Sequence, residues 1–361
     1  MSTTLPMRRG RPHPRGQADQ LQALRLPRLG LSVRIRPRVV AVGTIATILA
    51  VILAGWTMML GDFEIPFGQL VATTFGGGSG EYDFVVRTLR LPRTLAAAGV
   101  GLALGVSGAI FQGLVRNPLV APDIIGVMTG ASLVAVAFIV LGSPSGLVPI
   151  GAFTGAVLAS LLVYGLTWRG GITGNRLVLV GIGINAVFAA LTTFLIVRFP
   201  IEQVAPAVLW QTGTLYARGW QHVLWLTVGL AVLLPLAGVL MPRLRALQLG
   251  DDLAAALGIR VELVRGALLI VGAGLAAIAV AVAGPVGFVA LTVPHVARML
   301  LGPITGGGLV VAGLLGAVLV LASDLVGQHL FSPVSLPVGV VTAALGAPYF
   351  LFLLYRTTRG A

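Results

Sequence analysis

The sequence predicts an all-α polytopic membrane protein with about ten transmembrane helices, and three observations lead to that fold class. Hydrophobic residues make up 57% of the 361 residues, charged residues only 10%, and the mean hydropathy is +0.99. Soluble domains are much less apolar and carry about 25% charged residues. The apolar residues form runs of the length that crosses about 30 Å of hydrocarbon as a helix. Basic residues concentrate in alternate connections between these runs.

The first predicted span, Val39 to Leu60, contains no ionisable residue. Nine more are predicted, of which the eighth is short: 92–114, 119–142, 148–168, 177–197, 222–241, 266–284, 287–300, 309–330 and 336–355. Residues 1–38 are rich in Arg, Pro and Gly and lack an apolar period, which predicts a disordered cytoplasmic tail. We therefore expect a transmembrane domain over 39–356 and a short cytoplasmic C-terminal tail over 357–361.

The placement of the basic residues predicts the orientation. All 24 are arginine, and 19 of them lie on one side of the spans if the N-terminus is inside. The other side keeps only Arg87, Arg90, Arg93, Arg198 and Arg218. By the positive-inside rule both termini are cytoplasmic, and the expected location is the inner membrane of a bacterium. Topology thus accounts for the net charge of +13, and membrane lipid is the expected partner of the tail, not nucleic acid.

The absence of lysine and cysteine excludes several chemistries. A Walker A loop needs a lysine on the nucleotide phosphates, so the chain is not expected to be an enzyme that hydrolyses ATP. Cysteine-based metal sites are excluded as well, and no hydrolase motif is present. His295 stands alone, without a second ligand at metal-binding spacing, so we interpret it as structural. The sequence predicts neither a metal site nor a cofactor bound by this chain.

Four motifs lie between the spans. The first includes Arg90-Leu-Pro-Arg93 and, after an apolar helix, Arg116-Asn117-Pro118-Leu119. The others are the segment 250–259, Gly284-Pro285-Val286-Gly287 with Pro294-His295, and Leu336-Pro337-Val338-Gly339. In this order they resemble the FecCD-type permease family, the membrane subunits of type II ABC importers for iron-siderophores, haem and vitamin B12. The resemblance covers about residues 40–356.

The resemblance implies a ten-helix subunit that pairs with a second permease, with a paralogue favoured and a homodimer possible. A cytoplasmic ABC ATPase dimer would bind ATP-Mg, and an extracytoplasmic substrate-binding lipoprotein would deliver cargo. Iron(III)-siderophore is the expected cargo, with cobalamin or haem as alternatives. An ion-coupled secondary transporter is an alternative of another class, although it should carry several intramembrane acids and only Asp324 is available. A membrane receptor or scaffold is a third class.

The outer arginines are candidates for docking the binding protein. Guanidinium groups form oriented bonds to carboxylates, and the resemblance implies that Arg90 and Arg93, with Arg87 as a further candidate, meet acidic residues on that protein. Alternatively, these side chains cap the second span or extend to the membrane interface.

The segment 250–259 is predicted to be a short capped helix. Gly250 precedes two acids that favour a first helical turn, Asp251 and Asp252, and Gly258 ends the Ala-rich stretch as a C-cap. The resemblance implies the coupling helix on which the ATPase acts, with a surface loop as the alternative. The residues expected to contact the ATPase are Leu253, Ala254, Leu257 and Gly258.

Helix-breaking residues mark candidate hinges or gates: Gly284, Pro285, Gly287, Pro337 and Gly339. The acid within the ninth span, Asp324, is expected to serve the translocation path or helix pairing, and the same two roles are open for Gln112 and Asn117. The family commonly has an Arg four residues after this Asp and a Glu before the Leu-Pro-x-Gly motif. This chain has Gln328 and Ser335 instead, which is consistent with one half of a heterodimer.

Overall fold

The computed structural model describes residues 22–26, 31–61, 63–78, 80–168, 174–330 and 334–358. Within them the chain forms α-helices that we number in order: α1 Pro37–Met59, α2 Phe67–Phe75, α3 Leu91–Val115, α4 Val127–Val140, α5 Val148–Thr167, α6 Gly174–Arg198, α7 Ile201–Gln211, α8 Trp220–Gln248, α9 Asp251–Ala256, α10 Val261–Ala283, α11 Val289–Leu301, α12 Gly306–His329 and α13 Val338–Thr358. A π-helical segment, Phe84–Arg90, leads into α3.

Seven of the described helices are long and apolar enough to cross a membrane, judged by length and composition: α1, α3 with the turn before it, α5, α6, α8, α10 and α12. Three shorter apolar helices, α4, α11 and the first part of α13, complete a set of ten. The predicted all-α fold class with about ten membrane helices is therefore confirmed. The short eighth span corresponds to α11.

The third and seventh spans begin elsewhere than predicted. A 3-10 turn, Pro122–Ile125, and a left-handed Gly126 with φ of 87° precede α4. Pro122 opens that turn, and the helix starts only after the glycine. The seventh span starts earlier than residue 266, since α10 already includes Glu262 and Arg265. These two charged side chains bind each other near the N-terminus of α10. The helix can therefore begin before the apolar run.

Part of the segment predicted to be disordered forms a β-hairpin. Strands β1 (Gln22–Leu26) and β2 (Leu31–Ile35) pair antiparallel, with Gln22 opposite Ile35 and Leu26 opposite Leu31. Leu, Val and Ile alternate here with Ser and Arg, which is the period of a strand. The average composition of the tail conceals this pattern. The rest of the tail, residues 1–21 and 27–30, lies outside the described residues, as does the predicted C-terminal tail except 357–358.

Helix α3 lies at the centre of the bundle and packs against α8, α10, α11 and α12. Small residues permit this because the backbones approach closely. A methyl group on Gly101 would overlap the carbonyl oxygen of Gly316 in α12, and one on Gly108 would overlap that of Ala290 in α11. The glycines of α3 therefore permit the close approach of α11 and α12.

Contacts between helix termini define two ends of the bundle. Arg116 at the C-terminus of α3 contacts Leu247 of α8 and Asp251 of α9, and we call this the α9 end. At the opposite end Arg93 near the N-terminus of α3 contacts Asp324 of α12. Nε1 of Trp220 in α8 also donates a hydrogen bond to the backbone carbonyl of Arg87 there. We call this the α7 end, since α7 follows α6 there.

Candidate functional site

Two glycines with positive φ angles delimit α9. Gly250 has a φ of 125° and Gly258 a φ of 80°, a region that side chains with a Cβ rarely adopt. The chain thus leaves α8, makes six residues of helix and turns into α10 within a short distance. The predicted capped helix is present over Asp251–Ala256.

Asp251 anchors α9 to the bundle. Both of its carboxylate oxygens accept from Nη2 of Arg265 in α10, at 2.9 and 3.0 Å. Nη2 of Arg116, which ends α3 with a φ of 56°, lies 3.1 Å from the same carboxylate. Nη1 of Arg265 binds Glu262 at 3.1 Å. The sequence assigned Asp251 to the first turn of α9, but it did not reveal these two arginines as its partners.

Only part of the predicted ATPase surface is available on α9. Leu253 and Leu257 are 49% and 62% exposed, and Asp252 and Gly258 are exposed as well. Ala254 is fully buried, so the prediction that it contacts the ATPase is wrong. It points back towards the bundle because Asp251 fixes which side of the short helix faces inwards.

A second polar contact links α3 to α11 above the α9 end. The Gln112 side-chain oxygen accepts from Nη2 of Arg298, and its Nε2 donates to the carbonyl of Leu291 at 2.9 Å. Gln112 is buried, so this contact has the geometry of helix pairing. Asn117 makes a local contact instead, in which its Oδ1 accepts from the backbone nitrogen of Leu119 at 2.9 Å. It forms an Asx turn at the exposed end of α3.

At the α7 end, Asp324 is bound by two side chains. Nε and Nη2 of Arg93 donate to its two oxygens at 3.1 and 2.8 Å, and Nε2 of Gln328 donates at 2.8 Å. Asp324 is only 2% exposed, and the bidentate arginine neutralises it. The geometry is that of pairing α3 with α12. It also removes the one intramembrane acid that an ion-coupled transporter could have used.

The other outer arginines hold the chain around α2. Nη1 of Arg90 donates to the carbonyl of Met58 at 2.8 Å, and its Nη2 to that of Phe63 at 2.7 Å. Nε of Arg87 donates to the carbonyl of Thr73 at 2.8 Å. All three predicted docking arginines therefore have partners inside the chain. Docking of a binding protein remains a prediction for them.

The predicted hinge residues meet at one packed junction. Gly284 has a φ of 71°, and the nitrogen of Thr214 donates to the carbonyl of Ala283 at 2.7 Å. The nitrogen of Gly339 donates to the carbonyl of Gly213 at 3.1 Å, and a methyl group on Gly339 would overlap the carbonyl of Thr212. The breaks after α7, after α10 and before α13 thus touch backbone to backbone.

The remaining hinge candidates lie beside this junction. Gly287 has no atom near the position of a Cβ, and Phe288 follows it with a φ of 65°. The Pro337 carbonyl accepts from the nitrogen of Val340 at 3.1 Å in the first turn of α13. The hydrogen bond of Pro337 fits a packing role, whereas Gly287 has open space around it, and a hinge role remains a prediction for both residues.

Among the described residues, no group of three or more His, Asp and Glu side chains could hold a metal ion. His295 stands edge-on to the ring of Tyr349, with 6.2 Å between ring centroids. This ring contact fits a structural role for His295, which remains a prediction.

Comparisons with known proteins place this arrangement among membrane permeases. The FecCD transport family matches residues 41–356. The ferric enterobactin transport system permease protein FepG of Escherichia coli is 42% identical over 312 residues, which cover 86% of this chain and 94% of FepG. The achromobactin transport system permease protein CbrC of Dickeya dadantii is 38% identical over 348 residues, 95% of this chain and 98% of CbrC.

A solved structure shows the same architecture. It is an inward-facing ABC transporter assigned to the metal-chelate type, with a TM-score of 0.77 and 28% sequence identity. The superposition covers 88% of this chain and 99% of that chain. The overall arrangement of helices is thus that of an ABC transporter permease.

Proposed function

The chain belongs to the FecCD transport family, and on that premise we propose that it carries iron(III)-siderophore complexes across the bacterial inner membrane into the cytoplasm. It is a multi-pass permease subunit of an ABC importer. Relatives of high coverage are named for ferric enterobactin and achromobactin, which supports a ferric chelate as the cargo. A chelate already satisfies the coordination of its iron, so the permease needs no metal ligands of its own.

The observation that carries the proposal is the construction of α9. Asp251 binds arginines of both α3 and α10, while Leu253 and Leu257 project two apolar side chains into solution. Neighbouring apolar side chains that form an exposed patch between two spans are typical of a protein contact. We assign this contact to a cytoplasmic ABC ATPase dimer, which binds ATP-Mg. A push on α9 would pass through Asp251 into α3, the central helix of the bundle.

The α7 end is proposed to receive a substrate-binding lipoprotein. Arg87 and Arg90 both lie at this end, where each donates to backbone carbonyls. They can still attract carboxylates on the binding protein. Arg93 is assigned to helix pairing because Asp324 neutralises it.

The second permease is proposed to be a paralogue. Gln328 and Ser335 replace the family's usual Arg and Glu, and a paralogue that retains both charges would supply them once per dimer. Copurification of two differently tagged copies of this chain would show a homodimer instead and would contradict this part of the proposal.

Uptake by a deletion strain tests the cargo. Complementation with this chain should restore uptake of radiolabelled iron-siderophore and leave cobalamin uptake unchanged. Restoration of cobalamin uptake alone would overturn the iron assignment in favour of the cobalamin alternative. Haem uptake, measured in the same strains, tests the third possible cargo.

Copurification tests the motor contact. Leu253→Asp should abolish copurification of the ATPase and transport together, because it places a charge on the proposed contact. Leu330→Asp is a matched control, since Leu330 is also exposed, at 66% against 49% for Leu253, but follows α12 at the α7 end. Retention of the ATPase by Leu253→Asp would contradict the assignment.

A further inference from the structure

A cavity of about 510 Å³ opens between α5, α8 and α10 at the α7 end of the bundle. Its volume falls in the range of about 300–1,000 Å³ that is usual for small-molecule sites. None of the residues discussed above for the ATPase, the binding protein or the hinge lines it. The cavity therefore calls for a separate explanation.

The lining changes from polar to apolar along one face of α8. Arg218, Gln221 and His222 lie at or before the first turn, and Trp225, Val228 and Gly229 follow one to two turns further on. At 1.5 Å per residue, His222 and Val228 are about 9 Å apart along the helix axis. Further apolar side chains close the sides, contributed by α5 and α10: Pro149, Ile150, Phe153, Ile278, Ala281 and Val282.

Arg218 brings an uncompensated positive charge to the polar end. No carboxylate of the described residues forms a salt bridge with it, and its Nε is buried without a hydrogen-bond partner. Its Nη1 lies 3.4 Å from Nε2 of His222, a distance at the limit of a hydrogen bond. Burial lowers the pKa of the guanidinium. A desolvated cation of this kind gains much from an anion with several oxygen acceptors.

The cavity opens on the outer surface of the helix bundle, and its polar end lies at the height expected for lipid headgroups. Only 17% of the most apolar window of α8 is buried, and Trp225 and Val228 are 55% and 56% exposed. Trp220 is half exposed at the first residue of α8. Tryptophans of membrane proteins concentrate at the interface between hydrocarbon and headgroups. Arg218, two residues earlier, is then at headgroup level, and the apolar walls run towards the bilayer centre.

We propose that this cavity binds one anionic phospholipid. The headgroup phosphate would lie against Arg218, with Gln221 and His222 as further donors, and an acyl chain would descend along Trp225 and Val228 towards Ile278. Gly229 and Ile278 close the floor, because a methyl group on Gly229 would overlap the Ile278 side chain. The charge at one end and the apolar wall at the other match the two parts of a lipid. Neither part alone would use the whole cavity.

Native mass spectrometry of the purified permease complex tests the proposal. Phosphatidylglycerol with palmitoyl and oleoyl chains is titrated in, with phosphatidylcholine of the same chains as the neutral comparison. We expect a stronger adduct with phosphatidylglycerol, and weakening by about fivefold in Arg218→Gln, as one arginine contributes at a membrane surface. Arg218→Lys should retain most of the binding because it keeps the charge.

Arg198→Gln is the matched control. Arg198 is exposed at the C-terminus of α6 and does not line the cavity, so this variant should bind like the wild type. Equal binding of both lipids by the wild type, or an equal effect of the two Gln variants, would overturn the proposal. Glycerol phosphate without acyl chains should not displace the lipid. Full displacement would show an anion site without a role for the apolar walls and would also overturn it.

Discussion

The variant Asp324→Asn removes the negative charge that Arg93 binds inside the bundle. Nε and Nη2 of Arg93 contact the two carboxylate oxygens at 3.1 and 2.8 Å. Asp324 is 2% exposed and the Arg93 side chain 22%, so water can replace little of the lost interaction. The variant leaves the guanidinium of Arg93 largely desolvated without a counter-charge.

The expected cost follows from that burial. Removing one partner of a buried ion pair costs about 3–5 kcal/mol. Because Arg93 is partly exposed and Gln328 can turn its amide towards the new asparagine, we expect a value near the lower end, about 3 kcal/mol. The double variant Arg93→Met with Asp324→Leu should cost less than either single variant, since it leaves no unpaired charge.

Equilibrium unfolding in mixed micelles, followed by the circular dichroism of the helices, measures these costs. Asp252→Asn is the control, because Asp252 is exposed on α9 and surface substitutions stay within about 0.5 kcal/mol. If Asp324→Asn is as stable as this control, the pair does not hold α3 to α12. Additive effects in the double variant would refute the coupling between Arg93 and Asp324.

Three further predictions concern the same helices. Gln328→Arg places a second cation beside Asp324 and should leave the unfolding free energy within about 1 kcal/mol of the wild type. Failure to fold would contradict the role of Gln328 as a hydrogen-bond partner of Asp324. Gly101→Ala should destabilise the protein by at least about 1–3 kcal/mol in the same assay. Gly238→Ala should be neutral, because no atom lies within 4 Å of the added methyl group. Equal effects of the two variants would contradict the close packing of α3 on α12. Asp251→Asn should cost only about 1 kcal/mol in stability, because the side chain is 52% exposed, but should reduce siderophore uptake more strongly than Asp252→Asn. Equal uptake by the two variants would contradict anchoring of α9 through Asp251.

Features that depend on short stretches of sequence could be predicted. The spans follow from the length of apolar runs, and the break before α11 follows from Gly284 and Pro285, because Pro285 cannot donate a helical hydrogen bond and Gly284 adopts a φ of 71°. The caps of α9 follow from Gly250 and Gly258, since few other residues adopt their φ angles. Each of these signals lies within one turn of the element that it defines.

Features that depend on distant residues could not be predicted. Arg93 and Asp324 are 231 positions apart, and no local pattern indicates that their helices meet. Sequence analysis therefore predicts separate roles for the two residues, although the Arg that the resemblance implies at position 328 indicates that Asp324 belongs to a charge cluster. In the same way, nothing near Asp251 in the sequence identifies Arg116 as its partner.

Ala254 and the N-terminal hairpin show two other limits. A helix of six residues is too short for apolar periodicity to distinguish its inner side from its outer side, so Ala254 was assigned to the wrong one. In the tail, the alternation that favours β1 and β2 spans only five residues each, and the surrounding Arg and Pro residues dominated the composition. Both errors arise where the local signal is shorter than the window needed to detect it.

Labelling of a single cysteine can establish whether α9 faces the cytoplasm and binds the ATPase. The chain has no cysteine of its own, so Leu257→Cys introduces a single thiol on the exposed side of α9. A membrane-impermeant maleimide should leave it unlabelled in intact cells and label it in inverted vesicles stripped of the ATPase. Adding the ATPase back should protect it. Labelling in intact cells would contradict the cytoplasmic position of α9, and labelling that the ATPase does not reduce would contradict its contact with the ATPase.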